Sequence, residues 1–481
     1  MKAVISRKVK NMKNNSNEPP PFAIKFANTV FMLGMLFSVL LVVYVVYKMC
    51  NPRWLTHTSE TLNYYYIYIL FGGISATLFG LGLRMLSNGL KVNLSVLFVT
   101  VGISAYAFEA YLEFSHEQSP NLVKARAEQM GVPYDTRAII EVLEDLNDSG
   151  VEAYPNILPY IFVTSNGLNT TKGKVYPLGG ISNISTTFQN ESGYYPIIET
   201  DEHGFNNPKG LYKKNRVDIV LTGDSFTEGY SVHSDESLSA VLRKSGFNAI
   251  SIGKGANSSL LEFAALKEYA EPLRPIIVLW LYYGGDLRGI LHEMKSPLLK
   301  KYLDDNEFSQ NLISRQEEID SVLINYVRVG ELGEWERVER HNWNDHWLMR
   351  IPELTNLRTR FKLNPKPEPL PIPIFKNILQ ESKRIVSRWG GKLYFAYLPD
   401  FGQCSTDIED KNLEFAVVMR TVTELEIPII EIHNVFGSHP DQLSLFAFSL
   451  GHYSAEGYRL MAETISKRIK ADGVIPSKPD N

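Results

Sequence analysis

The first 110 residues hold three long runs with no Asp, Glu, Lys or Arg, and no later stretch is both as long and as apolar. Phe26 to Tyr47 and Leu62 to Leu83 run for 22 residues each, and Val92 to Phe108 for 17. About 20 apolar helical residues cross the hydrocarbon core of a bilayer, so two runs are long enough and the third is at the short end. Core helices rarely extend so far without charge on any face. The first run follows a basic tail with Lys2, Arg7, Lys8, Lys10 and Lys13. It is too long for a signal-peptide core, and no small-residue cleavage site follows cleanly.

Basic residues set orientation. The tail belongs in the cytoplasm, and the link after the second run, with Arg84 and Lys91 and no acid, suits the same side. The third run exits into Glu109, Glu113 and Glu117. Tyr44, Tyr47, Trp54, Tyr64, Tyr65, Tyr66 and Tyr68 suit the outer interface. The expectation is a multi-pass inner-membrane protein with the bilayer as partner. Residues 1–25 form a cytoplasmic tail, 26–110 three transmembrane helices, and everything after is extracytoplasmic.

The rest of the 481-residue chain reads as a soluble protein. A formal net charge of -4 argues against a nucleic-acid partner, which needs a basic face. Walker, zinc-finger and His-Glu-x-x-His spacings are absent. Two distant cysteines, Cys50 and Cys404, make no disulfide framework, and Cys50 reads as an interfacial or lipidated residue. Residues 111–216 read as a small mixed α+β connector, with a charged helical stretch over Pro120 to Ser149 and then short strands and turns. From Val217, the runs VDIVL, NAISI, PIIVLWLYY, GKLYFAYL and IPIIEI alternate with helical stretches. That alternation implies an α/β fold with a parallel sheet covered on both faces, over 217–475. A charged, largely helical insertion over about 287–366 interrupts it and ends in the Pro-rich KLNPKPEPLPIPIF.

The sharpest chemical signal is VDIVLTGDSFTEG. An apolar strand ends at Thr222, and Gly223, Asp224 and Ser225 turn into the next segment. Open parallel sheets bind ligands past the carboxyl ends of their strands, so Ser225 faces a crevice with its own N–H free at a helix start. A serine hydroxyl needs a base to be a nucleophile, and His is the usual choice. His452, in LGHYSAEGYRLMAETI, lies just before an amphipathic helix. Asp224 is expected to fix the turn by hydrogen bonds. Lys254 reads as solvated or as an attractor for an anionic group, and Tyr282 and Tyr283 as packing or as the lining of a sugar site.

Together, Gly223-Asp224-Ser225, a glycine in ISIGKGANSS, the block LYYGGDLRG and the terminal GHYSAEGYRLMA resemble the SGNH/GDSL hydrolase superfamily over about Val217 to Lys470. DEHGFNNP, ELTNLR and HPDQLSLF resemble more closely its membrane-anchored bacterial members associated with surface-polysaccharide genes. The resemblance implies a three-layer α/β/α domain and a serine esterase that needs no metal and no cofactor. Ser225 would be the nucleophile and His452 the base, with the Ser225 and Gly255 amides holding the oxyanion. Two positions depart from the family. Gly285 stands where an Asn should supply the third oxyanion donor, so only its backbone amide could serve there, ahead of Asp286, which fits the block's final Asp. Ser449 stands three residues before His452 in place of the usual Asp, leaving Asp441, the nearest upstream acid, to orient His452 or to serve as a turn residue, and His439 as a weaker rival base. The implied reaction is hydrolysis of an acyl ester, such as O-acetyl, on a surface glycan or lipid-linked substrate. Acyl transfer by the same site, or a non-catalytic role in envelope polysaccharide assembly, are the alternatives.

Overall fold

The computed structural model describes residues 18–50, 59–115, 120–214, 216–328, 350–351, 353–361, 363, 369–401 and 409–475. The call on Cys404 lies outside them. The chain divides into two compact units, one of residues 1–117 with 336–369, the other of 118–335 with 370–481. The insertion is thus split, its first part belonging with the sheet and its second with the N-terminal helices.

The N-terminal unit is built on α1 (Pro21–Cys50), α2 (Ser59–Met85) and α3 (Asn88–Ser115). Each contains a stretch of 24 to 27 residues long and apolar enough to cross a membrane. α3 outruns the 17-residue apolar run because its polar flanks stay helical, which removes the shortfall in length. α1 packs on both others, with Phe31 edge-on to Phe79 at 5.5 Å. Lys91 reaches Asn28 Oδ1 at 3.2 Å, so that basic residue is satisfied inside the bundle.

The second unit holds a five-stranded parallel sheet of β5 (Ile219–Thr222), β6 (Ala249–Ser251), β7 (Ile277–Tyr283), β8 (Lys392–Leu398) and β9 (Ile429–Ile430), in the order β6-β5-β7-β8-β9. Side chains alternate strictly across it, as a period of two demands. Val220, Val278, Trp280, Tyr282 and Phe395 face one core, and Ile219, Leu221, Leu279, Leu281 and Tyr394 the other. Helices α6 (Ser259–Ala265) and α9 (Ile372–Arg388) cover the first face. Helices α5 (Leu238–Lys244) and α11 (Ala455–Ala471) cover the second. The apolar stripe of α11 (Tyr458, Met461, Ala462, Ile465 and Ile469) has the three-and-four spacing of a helix buried on one side. Full burial of each such aliphatic side chain contributes about 1.5–3 kcal/mol.

The segment before the sheet is part of this unit. Phe162, Tyr176 and Phe205 join the first core. Two short antiparallel hairpins, β1 (Leu168–Thr170) with β2 (Gly173–Val175) and β3 (Ser185–Thr187) with β4 (Ile197–Glu199), supply its strands. Three insertion helices, Asp286–Glu293, Pro297–Asp304 and Gln316–Tyr326, bury Leu287, Leu299 and Leu323 in the same core.

Candidate active site

In this order strands are added on one side of β5 and then, from β7, on the other, so a crevice opens past the carboxyl ends of β5 and β7. Ser225 sits there, as the first residue of the one-turn helix α4 (Ser225–Glu228). The turn is tight because Gly223 has no side chain. A Cβ there would lie 2.1 Å from Thr227 Oγ1 and 2.7 Å from the Leu281 carbonyl. Asp224 is the cap, its Oδ1 accepting the Phe226 N–H at 3.0 Å. Ser225 is N1, and the first amides of a helix have no acceptor within it.

Ser225 Oγ lies 2.8 Å from His452 Nε2. His452 closes a tight loop in which the Ala447 N–H donates to its carbonyl at 2.8 Å. Ser454 then caps α11 by accepting the Gly457 N–H at 3.2 Å. Gly457 is required, since a Cβ would meet the Leu445 carbonyl at 2.2 Å. The imidazole sits between Phe226 and Tyr230, with ring centroids at 4.8 and 5.1 Å.

The acid on the other imidazole nitrogen is Glu191, not Asp441. His452 Nδ1 lies 3.0 and 2.9 Å from the two Glu191 oxygens. A carboxylate there makes Nδ1 the donor and leaves Nε2 as the acceptor facing Ser225. Asp441 is exposed, and its carboxylate accepts the Ser444 N–H at 3.3 Å as a local cap. His439, the rival base, is bonded through Nδ1 to the backbone of Asp441. Ser449, three residues before His452 and the position where an Asp was expected, still serves this site. Its hydroxyl donates to Glu191 Oε2 at 3.1 Å and its N–H to the Glu191 carbonyl at 3.2 Å. Ser231 donates to the same oxygen.

Glu191 comes from the irregular loop between β3 and β4, which is held on both sides. Asn190 donates to the Asp135 carbonyl at 2.8 Å, and the Gly193 carbonyl accepts the Asp135 N–H at 2.7 Å. Phe188 stacks on Tyr230 at 4.3 Å, and Tyr194 on His233 at 4.7 Å. The sequence holds one hint of this acid: it lies in a Gly/Asn/Ser-rich stretch, NESGYYP, flanked by aromatics.

Charge at the site is strongly coupled. Burial alone would raise the Glu191 carboxyl, but the His452 charge and the hydrogen bonds from His452, Ser231 and Ser449 hold it below its ordinary value. Burial would lower the imidazole, but Glu191, then Asp224 and Glu228, raise it. Burial pushes Asp224 up to about 6, against the His452 charge and the Phe226 N–H. Burial also drives Asp286 well above the carboxylate range, with Asp224 nearby adding to the shift.

The expected oxyanion amides are differently placed. The Gly255 N–H donates to Glu228 Oε2 at 2.6 Å, and the Gly285 N–H to Glu414 Oε1 at 2.9 Å. Both are engaged by carboxylates, so of the three expected donors only the Ser225 amide has no acceptor among the described residues. Asp286 closes the end of β7, its Oδ2 accepting the Tyr283 N–H at 2.9 Å. Lys254 is not solvated. It is 1% exposed, 2.5 Å from Glu228 Oε1, and donates to Asn156 Oδ1 at 2.6 Å. Its own N–H reaches the Gly223 carbonyl at 3.3 Å, so the pair ties the 253–257 loop to the turn that carries Ser225. Tyr282 is buried, with its hydroxyl on Glu414 at 2.8 Å, which is packing. Among the described residues, no group of three or more His, Cys, Asp and Glu could hold a metal.

No family model and no curated protein matches the chain. Solved structures do resemble it. One is a protein of the G-D-S-L family from Desulfitobacterium hafniense DCB-2, at 15% identity over 52% of this chain and 99% of that one, with a TM-score of 0.32. A second is a lipase/acylhydrolase from Enterococcus faecalis, at 13% identity over 55% and 99%, with a TM-score of 0.33. A third, an acetyl xylan esterase, shares 10% identity over 53% and 100%, with a TM-score of 0.29.

Proposed function

We propose that the chain is a membrane-anchored serine esterase of the SGNH/GDSL type. The observation that carries this reading is the continuous hydrogen-bonded series from Ser225 Oγ through His452 to Glu191. In the proposed reaction Ser225 Oγ attacks an ester carbonyl while its proton passes to His452 Nε2. Glu191 holds the ring in register and stabilises the imidazolium. The tetrahedral oxyanion develops near the Ser225 N–H. Its collapse expels the alcohol, which takes the proton from His452. Water, deprotonated by the same imidazole, then releases the acid and frees Ser225.

The substrate we propose is an O-acylated surface glycan or a lipid-linked precursor. Three helices able to cross a membrane support this, since an anchor keeps the domain beside such material. The basic tail favours a cytoplasmic N-terminus and, after three crossings, an extracytoplasmic domain in the inner membrane. A second reading, a non-catalytic domain in polysaccharide assembly, is favoured by one observation: carboxylates occupy the Gly255 and Gly285 amides.

A fluorophosphonate probe separates the two. Labelling of the wild type that is lost in Ser225→Ala supports the esterase, whereas no labelling, or equal labelling of the variant, overturns it. Turnover of a chromogenic acetyl ester, with and without an oligosaccharide acceptor, then distinguishes hydrolysis from acyl transfer. Acetylated sugar as the main product would make the enzyme an acyltransferase.

A further inference from the structure

The second part of the insertion returns to the N-terminal helices and is fastened there by named bonds. Glu109, near the C-terminal end of α3, is fully buried. Its Oε1 accepts the Asn356 N–H at 2.7 Å and its Oε2 the Leu357 N–H at 2.8 Å, in the first turn of α8 (Thr355–Arg360). Glu113 accepts from Asn356 Nδ2 at 2.7 Å and pairs with Arg350 Nε at 3.1 Å. Near the start of α2, the Tyr64 hydroxyl donates to the Leu363 carbonyl at 2.6 Å and meets the Tyr68 hydroxyl at 2.9 Å. A buried carboxylate is costly unless hydrogen-bonded, and here both oxygens of Glu109 are. The segment is therefore held to one end of the bundle, where α2 begins and α3 finishes.

What it presents there is apolar. Phe361 is 67% and Leu363 57% exposed, and Arg360, the last residue of α8, is exposed as well. On α2, whose Tyr64 holds Leu363, Tyr66, Ile67 and Leu70 are each more than half exposed. Tyrosines at a helix end, a large apolar pair and an adjacent arginine are the composition of a segment lying at a lipid headgroup boundary.

We propose that Phe361 and Leu363 enter the headgroup region of the bilayer, with Arg360 against lipid phosphate, making the insertion a second membrane attachment. The occupant is a phospholipid surface, because the exposed pair is fastened through the Leu363 carbonyl to Tyr64, near the start of a helix itself able to span. The chain leaves the bundle after α3, builds most of the sheet unit, returns at 350–363 and then enters α9, so that unit is held through two points of its sequence. This inference rests on the reading that α1 to α3 cross a bilayer.

The test is nitroxide accessibility in the full chain, in a Cys50→Ser/Cys404→Ser background, reconstituted into phosphatidylcholine vesicles with and without phosphatidylglycerol. Labels go at Phe361→Cys, at Phe71→Cys on the exposed face of α2, and at Met130→Cys, 69% exposed in the other unit. The expected result is an oxygen-to-nickel-chelate collision ratio at 361 several-fold above that at 130. Phosphatidylglycerol should raise it further, and Arg360→Ser should cancel that rise. A ratio at 361 equal to that at 130, with 71 clearly in lipid, overturns the inference and leaves the spanning reading standing. Shielding from both reagents at 361 also overturns it, because a protein then covers the patch. If 71 too behaves as aqueous, the spanning reading fails, and this inference with it.

Discussion

Ser225 and Glu191 lie at opposite ends of one hydrogen-bonded series, yet their backbones differ in kind. Ser225 follows a strand whose neighbours β6 and β7 are both paired to it, and its turn is fixed by Gly223 and the Asp224 cap. Glu191 stands in a loop between two three-residue strands, outside any sheet pairing, held by contacts to residues 133–137 and 230–233 and by the Ser449 N–H on its carbonyl. Ser225 is positioned by the sheet itself. The acid is positioned by a segment packed onto the sheet domain from before its first strand. A sheet-borne residue has one place to go, whereas a loop-borne acid can change its origin as long as it reaches Nδ1. Here Ser449, three residues before His452, donates a hydrogen bond to Glu191 instead of supplying the acid itself.

Substitutions break this comparison at each end. Ser225→Ala should abolish probe labelling and lower ester turnover by about 10⁴-fold or more, read as kcat with a chromogenic ester. Glu191→Gln should cost about 10²- to 10⁴-fold in kcat with folding retained, since the amide holds the ring less well and cannot stabilise the imidazolium. Retained activity in that variant would mean that the loop merely packs. Lys254→Met would leave Glu228 charged and buried without its partner, and should cost about 3–5 kcal/mol in denaturant unfolding. The double variant with Glu228→Gln should recover part of that loss. Asp441→Asn should change kcat by less than about twofold, because its carboxylate only caps a surface turn.

The legible parts of the site were those written locally. A strand, Gly-Asp-Ser and a one-turn helix are contiguous, and His452 is followed by its own capped helix, so both could be read from short motifs. Glu191 is 261 residues from His452, in a loop with no periodicity, and nothing near Asp441 signals that its carboxylate turns away. Lys254 was misread for a similar reason: a lysine beside glycines looks solvated until Glu228, 26 residues earlier, is seen to enclose it. Gly255 and Gly285 were picked out by their spacing from Ser225, but spacing does not say which way an amide points. Along the N-terminal helices, hydropathy located all three but cut the third short. The bonds between Glu109 and residues 356 and 357, which keep an acid at the end of α3, span almost 250 positions.

The central claim is that an upstream loop supplies the acid that tunes His452. It is tested most directly by the pH dependence of fluorophosphonate labelling in the wild type, Glu191→Gln and Asp441→Asn. Labelling needs a neutral imidazole, and Glu191 raises the pKa of His452 against the lowering effect of burial. The wild-type rate should therefore rise with pH through a midpoint above the ordinary histidine value. In Glu191→Gln the maximal rate should fall and the midpoint move to lower pH, while Asp441→Asn overlays the wild type. A midpoint shift in Asp441→Asn, with Glu191→Gln unchanged, would contradict the account.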